Sequence, residues 1–409
     1  MSFKLGYRTE LDGLRAVAVL SVMGVHVITI GSGADLAGKS AGLPPLTSGG
    51  MFGVDMFFVL SGFLITSILL HEHSKFGQID FRAFYIRRIL RLSPAMLMLL
   101  SACAVYLLLN GGTSGGFDWF SILFSALYIS NFALIFWGLR LGMLTQTWSL
   151  SVEEQFYSVW PLAVSKLVRL PRRNALRIVA AAAVASWLLR VLLFTTFMKY
   201  PAWPLFGSAV HLILAHCDGL LCGALVAMAA NWGWLPAARG DRRVECVSWF
   251  CALSLLGVLF FGPGMHKGIA DAGDIFFFYY AFVAVATAAL IATFLIDPHL
   301  TLCKLLRWAP MVWIGKISYG LYLYHMPIFV LTPASALGPN AALIVALAGS
   351  IATAAASYFL IERRFLDLRR TLGVPRTAQI VRRPAPSEGA QTLARQPRVA
   401  RVRAKTTVL

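Results

Sequence analysis

Charge is scarce in this chain. Only 13% of its 409 residues are Asp, Glu, Lys or Arg, whereas 58% are hydrophobic, and the mean hydropathy is +0.72. A water-soluble protein of this length needs a more charged surface. Acidic residues are the scarcest, 18 against 36 basic ones, for a net charge of +18. No H-E-x-x-H pair, P-loop or Gly-x-Gly-x-x-Gly fingerprint occurs, so the sequence gives no sign of a zincin, a P-loop NTPase or a dinucleotide-binding fold. The six cysteines, at 103, 217, 222, 246, 251 and 303, include no C-x-x-C pair and read as reduced, small core residues. No metal site is expected. No fixed-period repeat stands out, which counts against the repeat architecture common in transporters. Residues 1–13 are polar and short and carry no cleavage site, so the first helix is read as its own insertion signal.

What is present is a succession of apolar segments of bilayer-spanning length. They cover approximately 14–31, 51–70, 92–109, 119–138, 148–165, 177–198, 209–230, 245–262, 275–296, 310–332 and 339–361. The fold class is therefore an all-α polytopic membrane protein, one bundle over 1–365 with no separate soluble domain. The basic excess sits in short loops (Arg82 to Arg91, Lys166 to Arg177, Arg239 to Arg243, Lys304 to Arg307) and from Arg363 onward. That pattern marks a cytoplasmic face, and no nucleic-acid partner is expected. The tail, 366–409, is Pro- and Arg-rich and reads as disordered, near anionic lipid head groups. If every basic cluster is cytoplasmic, an even number of crossings must separate Arg91 from Lys166, yet three segments lie there. Making 119–138 re-entrant or interfacial gives about ten crossings with both termini cytoplasmic. Eleven crossings with one basic loop outside is the alternative.

Several ionisable residues interrupt these segments, where they are costly and mark function. Arg15 and His26 share the first helix, eleven residues and roughly 16 Å apart along its axis. Arg88 and Arg91 lie on one face of the third segment and suit a phosphate fork or plain membrane anchoring. Asp55 at the start of the second helix suits its dipole. Ser61-Gly62 permits close approach of another helix or of a slender chain such as pantetheine. Pro94 is read as lying in the first turn of its helix. Glu153 and Glu154 point about 100° apart, so one is expected to cap the helix or meet water while the other enters the bundle. A carboxylate beside an imidazole would fix its tautomer and raise its basicity. Asp218, beside His216, and His325, among tyrosines, add a further acid and base. Arg190 and His211 also fall within apolar segments.

Five stretches stand in order: Leu11-Asp-Gly-Leu-Arg-Ala with the Arg15/His26 spacing, Gly53-Val-Asp-Met-Phe-Phe-Val-Leu-Ser-Gly-Phe63, Tyr85-Ile-Arg-Arg-Ile-Leu-Arg-Leu92, Thr147-Trp-Ser-Leu-Ser-Val-Glu-Glu-Gln-Phe-Tyr157 and Ile317-Ser-Tyr-Gly-Leu-Tyr-Leu-Tyr-His325. From residue 8 to about 365 the chain resembles the membrane-bound acyltransferase-3 family, which includes O-antigen and exopolysaccharide acetylases, nodulation-factor acetylases and macrolide acyltransferases. The resemblance implies about ten membrane helices and transfer of an acyl group, usually acetyl from acetyl-CoA, to a hydroxyl of a glycan or glycoside. It implies a catalytic His26 with Arg15, a CoA-phosphate handle at Arg88 and Arg91, an acidic position at Glu153 and the motif histidine at His325, with Asp218 aligning less securely. Some members carry a fused extracytoplasmic hydrolase-like domain, and none is expected after residue 361.

The expected mechanism has acyl-CoA docking from the cytoplasm of a bacterial inner membrane, pantetheine passing Ser61-Gly62, and His26 acting as general base or acyl relay with Glu153 supporting its imidazolium. Aromatic residues at Trp203, Phe206 and Phe276 to Tyr280 are candidates for stacking on sugars. A proton-coupled transporter of a lipid-linked sugar or acyl compound is the rival reading, on the same intramembrane acids and histidines.

Overall fold

The computed structural model describes residues 6–32, 41–114, 117–137, 141–199, 216–263, 278–365 and 367. Among them, ten helices of fourteen residues or more are present: α1 (Thr9–His26), α2 (Gly53–Phe76), α3 (Phe81–Leu109), α6 (Thr147–Leu167), α7 (Arg172–Lys199), α8 (Asp218–Asn231), α9 (Arg242–Phe261), α10 (Tyr280–Ile296), α12 (Ala309–Leu331) and α13 (Pro339–Ser357). Short helices α4 (Trp119–Ala126), α5 (Ser130–Trp137) and α11 (Thr301–Leu306) lie between them. No strand occurs among the described residues, only a single bridge between Ser114 and Phe117. Six helices are long and apolar enough to cross a membrane, and α8 and α10 are shorter apolar helices. The chain is an all-α polytopic membrane protein. Large apolar side chains such as Leu97, Leu108, Phe250 and Phe261 point outward, where lipid would cover them. His211, Trp203, Phe206, Phe276 and the tail beyond 367 lie outside the described residues.

Segment 119–138 is not one helix. It forms α4 and α5, each eight residues, about 12 Å at the helical rise and too short to cross alone. Tyr128 between them holds φ at 54°, a strained setting for a residue with a side chain. A row of polar pairs fastens both pieces to α6. Ser125 meets Thr147 at 2.9 Å, Ser130 meets Ser151 at 2.8 Å, and Gln155 donates to Asn131 Oδ1 at 2.8 Å and to the Tyr128 carbonyl at 3.0 Å.

The caps explain several helix starts. Asp80 accepts from Ala83 N at 2.9 Å, so α3 begins at Phe81. Pro94 therefore lies well inside α3 rather than in its first turn, because the basic stretch before it is already helical. Asp297, at the end of α10, accepts Gly240 N and His299 N, each at 2.8 Å, and ties two loops together. Those hydrogen bonds, Gly240 first, hold its carboxyl below the usual carboxylate range. Of the cysteines, all six are free, and Cys103, Cys251 and Cys303 are buried as read. Cys246 is exposed, because its position on α9 faces outward.

Glycine sets the closest crossings. A Cβ built on Gly62 would sit 1.8 Å from the Leu220 carbonyl oxygen, and one on Gly223 would sit 2.0 Å from that of Val59. Helices α2 and α8 thus touch backbone to backbone, as small residues allow in membranes. At Gly315 of α12 the neighbour is the Asp12 carbonyl oxygen of α1, at 1.9 Å. We expect Gly62→Leu to lower stability by about 1–3 kcal/mol, read as a lower thermal midpoint in detergent. Gly257→Leu is the control, because a Cβ there meets nothing within 4 Å. Equal effects of the two would refute the close crossing.

Candidate active site

The site begins with a proline. Pro327 lies inside α12 and has no N–H, so the carbonyl of Leu323, four residues earlier, loses its helical partner. Gln146, just before α6, supplies the missing donor, its Nε2 reaching the Leu323 oxygen at 2.8 Å. The backbone oxygen of Gln146 in turn accepts from Tyr322 Oη at 3.1 Å, and that hydroxyl meets Ser149 Oγ at 2.6 Å. Helices α6 and α12 are locked together one turn from His325.

His325 is fully buried. Its Nδ1 lies 3.1 Å from the Leu321 oxygen and 2.9 Å from that of Tyr322. A carbonyl only accepts, so Nδ1 carries the proton and, in the neutral ring, Nε2 is the acceptor. His26 repeats the arrangement as the last residue of α1, with Nδ1 2.8 Å from the Val22 oxygen. The two rings are neighbours, 5.3 Å between centroids and tilted by 47°. Past His26 the chain makes one tight turn, Val27–Thr29, and Gly31 N donates to the Phe329 oxygen at 2.9 Å, which pins the end of α1 to α12.

The two glutamates are both half-buried. Glu154 takes Arg88 in a forked contact, with Nε 2.9 Å from each carboxylate oxygen and a terminal nitrogen 2.6 Å from Oε1. Arg88 also lies 3.3 Å over the Tyr157 ring. Glu153 lies beside Ser61, with Arg88, Glu154 and Arg15 in electrostatic range, and Ser61 also reaches Tyr157. So Glu154 neither caps the helix nor stands alone in water, because Arg88 is within reach of it.

The structure thus brings Arg15, Ser61, Arg88, Glu153 and Glu154 together and, separately, His26 and His325. The ring beside His26 is His325, whereas Glu153 keeps its contacts with Ser61 and the arginines. A ready-made Arg88/Arg91 fork is not present. Arg88 is engaged by Glu154, and Arg91 is exposed with Glu362 in electrostatic range. The room at Gly62 is filled by α8, so the close approach there is made by a helix.

A second buried cluster joins α2, α7, α8 and α10. Arg190 forms two parallel bonds to Asp218, at 2.8 and 2.6 Å. Asp55, in the first turn of α2, places Oδ1 3.2 Å from His216 Nε2. The His216 ring is boxed by Phe58, Trp148 and Tyr280 at 5.4, 5.5 and 5.0 Å. Tyr280 also carries Arg190 over its face at 4.9 Å, so this ring packs within the protein. Among the described residues no three His, Cys, Asp or Glu side chains gather as a metal would require.

Sequence reading missed Gln146, Tyr322 and the Arg190–Asp218 pair as parts of this architecture. Pro327 was the available signal for Gln146, since it strips one carbonyl of its donor. Arg190 and Asp218 are 28 positions apart, and nothing local announces their pairing.

The Acyl_transf_3 family, described as an acyltransferase domain, matches residues 8–362. YrhL of Bacillus subtilis (strain 168) is 32% identical over 349 residues, 81% of this chain and 50% of its own. The peptidoglycan O-acetyltransferase OatA of Listeria monocytogenes is 29% identical, over 80% of this chain and 50% of its own. The O-acetyltransferase OatA of Staphylococcus aureus (strain NCTC 8325 / PS 47) is 31% identical, over 79% and 51%. The chain spans about half the length of these relatives. No solved structure matches.

Removing one partner of a buried ion pair strands the other charge, at a cost of about 3–5 kcal/mol. Arg190→Met and Asp218→Leu are each expected to lower the thermal midpoint sharply, and the double variant to recover much of the deficit. A double variant worse than both singles would contradict the pairing.

Proposed function

We propose, for a chain that belongs to the Acyl_transf_3 acyltransferase family, that it moves an acetyl group from cytoplasmic acetyl-CoA to a hydroxyl of a glycan, with His26 as the reacting base or acyl relay. The observation that carries the reading is the fixed tautomer of His26. Its Nδ1–H is held by the Val22 oxygen at 2.8 Å, which leaves Nε2 with the lone pair that general-base or nucleophilic chemistry needs. A thioester is already activated, so a positioned base can suffice.

The donor is a polyanion, and the cations offered to it are Arg15 and Arg88 in the cluster and the exposed Arg91 one turn on from Arg88. Arg15 lies on the helix that ends in His26, roughly 16 Å back along its axis. A phosphate arriving at Arg88 must displace Glu154, so donor binding and release of that ion pair are coupled. Relatives whose names state peptidoglycan O-acetyltransferase favour a cell-wall glycan as acceptor. The acceptor enters from the outer side of a bacterial inner membrane, and both termini are cytoplasmic, on the positive-inside pattern. Three of the intramembrane acids that a transporter would use for protons, Glu154, Asp218 and Asp55, are paired with Arg88, Arg190 and His216.

The test is purified protein in detergent with radiolabelled acetyl-CoA and glycan strands released from peptidoglycan. His26→Ala is expected to lower transfer by about 100-fold or more. Near-normal transfer by that variant would end the reading. Arg88→Ala removes one charge-assisted hydrogen bond to the donor and is expected to raise the KM for acetyl-CoA by about tenfold. Glu154→Gln is expected to lower that KM by freeing Arg88. A KM unmoved by both would reject the donor site.

A further inference from the structure

We infer that His325 is a second catalytic base, and that its Nε2 takes the proton of the acceptor hydroxyl while His26 carries the acyl group. The inference rests on the acetyl-CoA reading above and divides its chemistry between the two imidazoles.

His325 Nε2 is buried and has no hydrogen-bond partner among the described residues. Buried polar atoms without partners are rare and call for an explanation. Here the tautomer is settled, because Nδ1 gives its proton to backbone carbonyls of the same helix. The missing partner is therefore a hydrogen-bond donor. The nearby hydroxyl of Tyr322 does not supply it, being engaged with Ser149 and the Gln146 oxygen. The Phe329 ring meets His325 edge-on at 5.7 Å and has no donor to give.

A second orphan lies on the residue that braces α12 two positions before His325. Gln146 Oε1 is buried without a partner among the described residues, and the amide cannot be turned to relieve it, since Nε2 must face the Leu323 carbonyl. Two unpaired acceptors, one on His325 and one on the residue that braces its helix, suit a ligand rich in hydroxyl donors. An acyl-CoA thioester carbonyl, an acceptor itself, satisfies neither. A sugar brings hydroxyl donors of the kind each lacks.

The steps balance. His26 Nε2 attacks the thioester carbon, the C–N bond forms, the C–S bond breaks and CoA leaves as thiolate. The acyl-imidazolium of His26 is then attacked by the acceptor oxygen. The C–O bond forms, the C–N bond breaks and its electron pair returns to His26, while the hydroxyl proton passes to His325 Nε2. That proton is afterwards lost to the CoA thiolate or to water, giving the ester and free CoA. The 5.3 Å between ring centroids makes the two imidazoles neighbours, near enough to share one acceptor.

The experiment uses His325→Gln in the full chain, with labelled acetyl-CoA as donor and either peptidoglycan glycan strands or hydroxylamine as acceptor. Hydroxylamine attacks acyl groups without help from a base. The variant is expected to retain protein-bound label and hydroxylamine capture within about threefold of wild type, while transfer to glycan falls by about 100-fold. Glycan transfer at the wild-type rate would overturn the inference. Equal reduction of both captures would also overturn it, since that is the mark of a merely structural role. A wild type that takes no label from acetyl-CoA overturns the donor reading and this inference with it, whereas the first two results leave that reading standing.

Discussion

Lipid offers no hydrogen-bond partner, and the polar interior of this bundle is ordered by that constraint. The bond from Gln146 Nε2 to the Leu323 carbonyl shows how far it reaches. One missing N–H at Pro327 leaves a carbonyl that must be met from elsewhere. Meeting it fixes the entry to α6 against α12, and that contact sets the wall on which His325 stands. The same rule pins both site histidines through Nδ1 to carbonyls of their own helices. What could have been mobile imidazoles become fixed tautomers with a defined basic nitrogen.

The buried charges divide into two groups with different work. Arg190, Asp218, Asp55 and His216, with Tyr280, join four helices, and the His216 ring is packed against aromatics, an arrangement that holds the bundle together. Arg88, Glu154, Glu153, Ser61 and Arg15 gather by α6, the cluster proposed to receive an anionic donor. The forked Arg88–Glu154 contact keeps the guanidinium neutralised. In a medium of low dielectric, an arginine waiting for a phosphate without a counter-ion would be costly. On the proposed donor reading, docking a CoA phosphate is an exchange of one anion for another.

The fold class was legible because hydropathy and the spacing of basic loops are local, repeated signals. The break of 119–138 into α4 and α5 was legible in part, through charge parity and the polar Asn131. The kink at Tyr128 and the polar ladder to α6 are tertiary facts. Motif spacing marked His26, Glu153 and His325 as residues to watch. It could not say that His26 faces His325 rather than Glu153, since helix rotation in the bundle decides which ionisable groups meet. Gly62 was ambiguous between ligand and helix, and packing against α8 resolves it. The Arg88/Arg91 fork followed correctly from helical spacing but ignored a partner, Glu154, that lies on another helix 66 positions away.

The central claim is that acyl transfer takes place at His26, in the space it shares with His325. The most direct test is an experimental structure of the protein with a non-hydrolysable thioether analogue of acetyl-CoA. The account predicts the analogue's carbonyl carbon within roughly 3–4 Å of His26 Nε2, the distance of a near-attack arrangement, with phosphates at Arg88 in place of Glu154. An analogue bound with its acyl end away from both imidazoles, or with Arg88 still held by Glu154, would contradict it.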